Sequence, residues 1–138
     1  MSENAAPTGA VEPKDVVEIR LPAASAYLSV LRTATAGLAA RLDFTLDEIE
    51  DLRIAVDEAC AMLLATAIAG TSLQCTFELQ AEALRIAVSV QTSDGAMPAR
   101  TTFAWTVLTA LAGEVDSHST GDGTVTIELI KRRAAPQA

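Results

Sequence analysis

The segment from Phe44 to Gly70 constrains the fold of this 138-residue chain most strongly, because it carries a full set of helix signals. Thr45 and Glu48 have the spacing of a capping box, in which each side chain accepts a hydrogen bond from the other residue's backbone N–H. Phe44 and Ile49 flank this box at the spacing of a hydrophobic staple. The sequence therefore predicts a helix that begins after Thr45, runs to about residue 69 and is capped by Gly70. Its predicted core face contains Ile49, Leu52, Val56, Cys60 and Leu63.

Alternating and helical spacings of apolar residues predict the other elements. These are a strand at 16–21, a helix at 24–42, strands at 73–80 and 84–91 that form an antiparallel hairpin, a helix at 102–112, and strands at 114–118 and 124–131. The order β-α-α-β-β-α-β-β predicts an α+β fold, a two-layer sandwich with three helices on one face of a mixed, mostly antiparallel sheet. Residues 15–133 would form this one domain, with disordered tails at 1–14 and 134–138.

Charge and composition exclude some classes of function. The chain has 18 acidic and 10 basic residues, a formal net charge of −8, which argues against nucleic acid binding because phosphate contacts need clustered Lys and Arg. A basic protein partner or simple solubility would both account for the charge. No stretch approaches the roughly 20 apolar residues that span a bilayer, and the N-terminus has no signal-peptide pattern, so we expect a cytoplasmic protein without a membrane segment.

The residues that commonly bind metals are few. Cys60 and Cys75 lie within apolar patterns without metal-ligand spacing, which predicts buried thiols in a reducing compartment. His118 is the one histidine, and no cluster of Cys, Asp or Glu accompanies it. The sequence therefore predicts no metal site built around this histidine.

Three segments carry a resemblance to a known family: DLRIAVDEAC at 51–60, FAWTVLTALAGEV at 103–115 and GTVTIELIKR at 123–132. With the element order and length, they resemble anti-sigma factors of the RsbW and SpoIIAB type, which belong to the histidine-kinase-like ATPase superfamily. The tryptophan in the third helix resembles a divergent, UsfX-like branch. The resemblance covers about residues 16–132. It implies a protein that binds an alternative sigma factor, and many family members also phosphorylate a serine on an anti-anti-sigma partner.

The resemblance assigns two positions on the second helix to phosphoryl transfer. Glu58 falls where the family has the general base that activates the attacking serine, whereas a solvent-facing helix Glu is the ordinary alternative. Met62, one turn later, falls where the family has the Mg²⁺-binding Asn. A thioether is a soft, weak ligand and Mg²⁺ takes oxygen, so Met62 is interpreted as core or pocket filler.

The adenine-binding Asp of the family falls on Thr92 if strand parity is kept, or on Asp94, followed by Gly95, after a two-residue slip. The Asp-Gly pair is also an ordinary turn. Gly123 and Thr124 match a Gly-Thr pair of the family. A Gly-Thr pair ahead of a last strand is also an ordinary hairpin signal.

The glycines of the family's phosphate box fall on Thr102 and Ala104, beside Phe103 and Trp105. Glycines there would let backbone approach phosphate closely, and side chains narrow that approach. Without the metal ligand and these glycines the resemblance implies no cofactor, and ATP with Mg²⁺ is the alternative.

Arg32, on the first helix, aligns with a family arginine that contacts both the sigma factor and the anti-anti-sigma factor. A guanidinium fork suits this role because it pairs with carboxylates on either partner, although a solvated helix Arg is the rival interpretation.

The resemblance therefore predicts a cytoplasmic anti-sigma factor that sequesters an alternative sigma factor of stress or differentiation, and that an anti-anti-sigma (STAS-domain) protein releases. Family members dimerise, so it also implies a homodimer. An active ATP-dependent serine kinase of the anti-anti-sigma factor is the alternative, and a scaffold that binds no sigma factor is a third, weaker hypothesis. No nucleic acid or membrane partner is expected.

Overall fold

The computed structural model describes residues 15–134, which form an α+β sandwich, so the predicted fold class is confirmed. The predicted tail at 1–14, and residues 135–138 of the predicted tail at 134–138, lie outside the described residues. Nine elements follow one another along the chain: β1 (Asp15–Pro22), a 3₁₀ turn (Ser25–Tyr27), α1 (Leu28–Arg41), α2 (Leu46–Leu64), β2 (Ser72–Leu79), β3 (Ala83–Gln91), α3 (Phe103–Ala112), β4 (Glu114–Ser119) and β5 (Thr124–Arg132).

The five strands form one sheet in the order β1-β2-β3-β5-β4. All four pairings within residues 15–134 are antiparallel. The sheet is therefore purely antiparallel there, rather than mixed and mostly antiparallel as predicted. The tight links between β2 and β3 and between β4 and β5 permit only antiparallel pairing, because a parallel pair needs a long crossover. Alternate residues of β2, β3 and β5 are buried against the helices, as the period-two pattern predicts.

α2 lies at the centre of the helical layer. Its start is confirmed: the Thr45 hydroxyl accepts from the Glu48 N–H at 3.1 Å, and a Glu48 carboxylate oxygen accepts from the Thr45 N–H at 2.8 Å. Phe44 is buried, and Ile49 packs against the same core, as expected for a staple. The fully buried side of α2 is Leu52, Ala55, Val56, Ala59, Cys60 and Leu63.

Two helix boundaries differ from the prediction. α2 ends at Leu64 rather than near residue 69, because the Ile68 N–H donates to the Gln91 carbonyl at 2.9 Å and Ala67 forms a bridge with Thr92. The backbone thus leaves the helix to pair with the end of β3, and Gly70, with φ 83°, lies in the following turn rather than capping α2. α1 begins at Leu28 rather than 24, since 25–27 form the 3₁₀ turn.

Both cysteines are buried free thiols, as predicted. Burial raises the pKa of the Cys60 thiol to about 12 and also raises that of Cys75. Within residues 15–134 no helix is long and apolar enough to cross a membrane.

Candidate functional site

An ion pair joins α1 to α2 on their outer side. Arg32 Nε donates to Asp57 Oδ1 at 2.8 Å, and the side chains are 40% and 38% exposed. α1 and α2 are antiparallel neighbours, and these two residues lie almost equally far from the turn at 42–45. Arg32 is therefore partly exposed and paired with a neighbour, and its role in partner binding stays a prediction.

Glu58 follows Asp57 on α2 and is half-buried. Among residues 15–134 its side chain forms neither a hydrogen bond nor an ion pair, so its carboxylate keeps the acceptor capacity that a general base would use. One turn later, Met62 is partly buried and packs against the hydrophobic core. Its thioether offers a hard cation no oxygen at this point of the helix.

Three of the four residues assigned to nucleotide binding lie together. Asp94, Gly95 and Gly123 line one surface depression of about 480 Å³ at the end of the sheet. The remaining lining residues belong to the same two turns: Ser93, Ser119, Thr120, Gly121 and Asp122. The Gly-Asp-Gly run ahead of β5 predicts a turn, but sequence reasoning did not place that turn beside Asp94.

Asp94 is exposed, and its Oδ1 accepts from the Ala96 N–H at 3.0 Å. Gly95, with φ 69°, completes this tight turn. The Asp-Gly pair therefore has the geometry of the ordinary turn that was the alternative interpretation.

Thr92, the other candidate for the adenine-binding position, is 2% exposed and serves the sheet itself. Its hydroxyl donates to the Gly123 carbonyl at 2.7 Å and accepts from the Gly95 N–H at 2.8 Å. The hydroxyl thus donates to one turn and accepts from the other, and so holds the two turns together.

Thr124 does not join this group. Its hydroxyl donates to Gln91 Oε1 at 3.1 Å, and it lines a different depression, of about 350 Å³, together with Gln74 and Ser89. Its neighbour Val125 is the residue that enters the core. Because side chains alternate along a strand, Thr124 points to the face of the sheet away from the helices. Thr124 therefore lies apart from Asp94, Gly95 and Gly123, and the assignment of all four residues to nucleotide binding stays a prediction.

The residues at the phosphate-box positions, Thr102 and Ala104, lie at the N-terminus of α3. The Thr102 hydroxyl accepts from the Trp105 N–H at 3.2 Å and so caps the helix, while Phe103 is 82% exposed. Trp105 is buried, with the guanidinium of Arg100 4.9 Å from its ring centroid. Arg100 also donates to Asp116 at 2.7 Å, and this bond holds the pKa of Asp116 below its usual range.

At the α2 position that the resemblance assigns to the Mg²⁺ ligand, the structure has the thioether of Met62. Within the described part of the chain, no group of three or more His, Cys, Asp and Glu side chains could hold a metal ion. Glu58 and Met62 are not among the residues that line the depression at Asp94. The donors that Mg²⁺ prefers are thus missing from the α2 position where the resemblance puts them.

The capped central helix, the five-stranded antiparallel sheet and the three helices on one of its faces form an α+β sandwich that is consistent with a histidine-kinase-like ATPase fold. The solved RsbU and RsbW domains of a Mycobacterium tuberculosis protein have this fold, with a TM-score of 0.65 and 18% identity, over 90% of this chain and 34% of that one. At this identity the likeness concerns the fold alone.

Sequence relatives give the family. The anti-sigma-F factor RsbW of Mycobacterium tuberculosis (strain H37Rv) is 32% identical over 125 residues, which cover 86% of this chain and 74% of the relative. The serine-protein kinase RsbW of Bacillus subtilis (strain 168) is 48% identical over 46 residues, only 33% of this chain and 29% of the relative. No protein-family model matches. The chain belongs to the RsbW family of anti-sigma factors.

Proposed function

We propose that this protein acts by binding: it sequesters an alternative sigma factor in the cytoplasm, and an anti-anti-sigma protein competes for the same surface. The observation that carries the proposal is the match along most of the chain to a relative named as an anti-sigma-F factor. The accessible Arg32–Asp57 pair on α1 and α2 supports a partner surface there, because arginine is enriched where interfaces recognise carboxylates.

The chemistry of the α2 positions supports binding over phosphoryl transfer. Transfer of a γ-phosphoryl group depends on Mg²⁺ to neutralise charge, and Met62 supplies no oxygen for it. The hydroxyl of Thr102 caps α3, where the family's glycine would let backbone approach phosphate. Glu58 keeps the carboxylate that could accept a serine proton, and this residue is what favours the kinase alternative.

The test of sigma factor binding has two steps. Capture with the tagged full chain from extract of the native cell identifies the sigma factor, and titration calorimetry with both purified proteins then measures the affinity. Run-off transcription with purified polymerase should fall as the anti-sigma protein is added. If no sigma factor binds and transcription is unchanged, the proposal fails in favour of a scaffold role.

A second titration addresses the kinase alternative. We expect Mg-ATP to give no measurable heat with the wild-type chain and no labelled phosphate on a captured anti-anti-sigma protein. Micromolar affinity with transfer of label to a partner serine would support the kinase instead. Glu58→Gln is the matched control, since it keeps the shape of the side chain and should abolish transfer only if Glu58 acts as a base.

Dimerisation and the branch within the family are part of the same proposal. We expect sedimentation equilibrium to give twice the monomer mass at micromolar concentration; a monomer throughout would remove the homodimer. The UsfX-like assignment rests on Trp105 in α3 and stays a prediction.

A further inference from the structure

A single side-chain hydrogen bond holds the guanidinium of Arg32 among residues 15–134. Its Nε–H donates to Asp57 Oδ1 at 2.8 Å, across the gap between α1 and α2. An arginine has five N–H groups in a planar fork, and Nε carries one of them. Among residues 15–134 the two terminal amino groups of Arg32 have no hydrogen-bond partner, although the side chain is 40% exposed.

We propose that Asp57 is a positioning residue for partner binding: it fixes the guanidinium of Arg32 so that both terminal amino groups face outward and receive an acidic side chain of the sigma factor. This inference rests on the proposed function, since it names how the same surface recognises its partner. The two amino groups of a fixed fork match the two oxygens of a carboxylate, so the predicted contact is bidentate.

Pre-organisation gives the expected magnitude. A long side chain that is already ordered loses less conformational freedom on binding than a free one, and freeing it should weaken affinity about 3- to 10-fold. The charge of Asp57 acts in the opposite sense, because it repels an incoming carboxylate. Asp57→Ala removes both the bond and the charge, whereas Asp57→Asn keeps an oxygen that accepts from Nε and removes the charge alone.

The affinity experiment uses the full chain and the purified sigma factor captured by the wild type. We expect Asp57→Ala to weaken binding about 3- to 10-fold and Asp57→Asn to keep it within about 2-fold. The loss should vanish when Arg32 is already alanine, because Asp57 then has nothing to position. An unchanged or tighter complex with Asp57→Ala, or an equal loss in the Arg32→Ala background, would overturn the proposal.

A matched control lies one turn away on α2. Arg53 donates to Glu50 at 3.0 Å, an exposed pair of the same chemistry within a single helix. Glu50→Ala should leave sigma factor affinity unchanged, since it frees an arginine to which we assign no partner. A loss as large as that of Asp57→Ala would show a general charge effect and would overturn the assignment to Asp57.

A measurement on the free protein separates the failure of this inference from failure of the proposed function. The Nε–H signal of Arg32 in ¹⁵N NMR, assigned by its loss in Arg32→Lys, should show restricted motion that Asp57→Ala releases and Asp57→Asn retains. If the wild-type Nε–H moves as freely as that of a solvated arginine, the positioning role is refuted. If no sigma factor binds the wild type, the proposed function fails, and the NMR result still decides whether Asp57 orders Arg32.

Discussion

Replacing Gly123 with alanine tests whether this glycine is required by the fold rather than by a nucleotide. Gly123 has φ 92°, a conformation that L-residues rarely adopt. A Cβ at this position would lie 2.6 Å from the carbonyl oxygen of Thr92 and 3.1 Å from Nε2 of Gln91. The first of these contacts is with backbone, so the strand end itself would have to move.

The magnitude follows from three contributions. The left-handed backbone costs an alanine about 1–2 kcal/mol. Alanine also restricts the unfolded chain, which offsets about 0.4–1 kcal/mol. Moving the strand end strains the bonds that the Thr92 N–H and hydroxyl donate to the Gly123 carbonyl at 2.9 and 2.7 Å, each contributing about 0.5–1.5 kcal/mol. Gly123→Ala should therefore lower the free energy of unfolding by about 2–4 kcal/mol.

Two other glycines separate the contributions in the same urea-unfolding assay. Gly70 has φ 83° with no atom within 4 Å of a built Cβ, so Gly70→Ala carries the backbone cost alone. Gly121 has neither a positive φ nor a neighbour within 4 Å, and Gly121→Ala should be close to neutral. The order of destabilisation should be Gly123, then Gly70, then Gly121. A loss at Gly123 no greater than that at Gly70 would refute the reasoning from the Thr92 contact.

Three further perturbations have defined outcomes. Gly37→Ala, in the interior of α1 with nothing within 4 Å, should raise the free energy of unfolding by about 0.5–1 kcal/mol in urea; a decrease would contradict the open surroundings. Burial raises the pKa of the Cys60 thiol from 9.0 to about 12, so the folded state holds the thiol proton more tightly than the unfolded state does. The contribution of this thiol to the free energy of unfolding should therefore be fully present below pH 9 and be lost as the pH rises toward 12. Cys60→Ala should make that decline shallower, and an equal slope would contradict it. Arg100→Ala should shift the emission of Trp105 to longer wavelength, with Arg100→Lys as the control; an unchanged spectrum would show that Arg100 does not shield the ring.

Local signals predicted the start of α2 and the faces of the strands. The capping box at Thr45 and Glu48 specifies where α2 begins, because it satisfies backbone donors within one turn of chain. The alternation in β2 and β3 predicts which side chains are buried, since the pleat sends neighbours to opposite faces. Both signals act over a few residues, so one sequence is enough to find them.

The end of α2 was not predictable in the same way. Residues 65–69 continue an apolar, alanine-rich pattern, and nothing local stops a helix there. What stops it is the pairing of Ala67 and Ile68 with the end of β3, more than twenty residues later in the chain. Tertiary pairing overrides helix propensity at this point.

The candidate site shows the same division. Glu58, Met62 and Arg32 were assigned from the family resemblance and their roles stay predictions, whereas the partner of Arg32 depends on how two helices pack. The sequence reasoning gave Asp57 no role beyond that of a carboxylate next to Glu58. Its distance from the turn at 42–45 was the available signal, because residues equally far from a tight turn meet in an antiparallel helix pair.

Two places where the resemblance leads one to expect ligand contacts are used by this protein for its own structure. The hydroxyl of Thr102 occupies a backbone donor at the start of α3, and a phosphate would have to replace a cap worth about 0.5–2 kcal/mol. The hydroxyl of Thr92 is committed to the turns at Gly95 and Gly123. By contrast, the side chain of Arg32 is 40% exposed, and its terminal amino groups have no hydrogen-bond partner among residues 15–134. Polar groups that already have partners within the fold add little to ligand affinity. A guanidinium that is ordered and has free donors can add to the affinity for a partner. This contrast is the physical reason for expecting recognition at the helical surface.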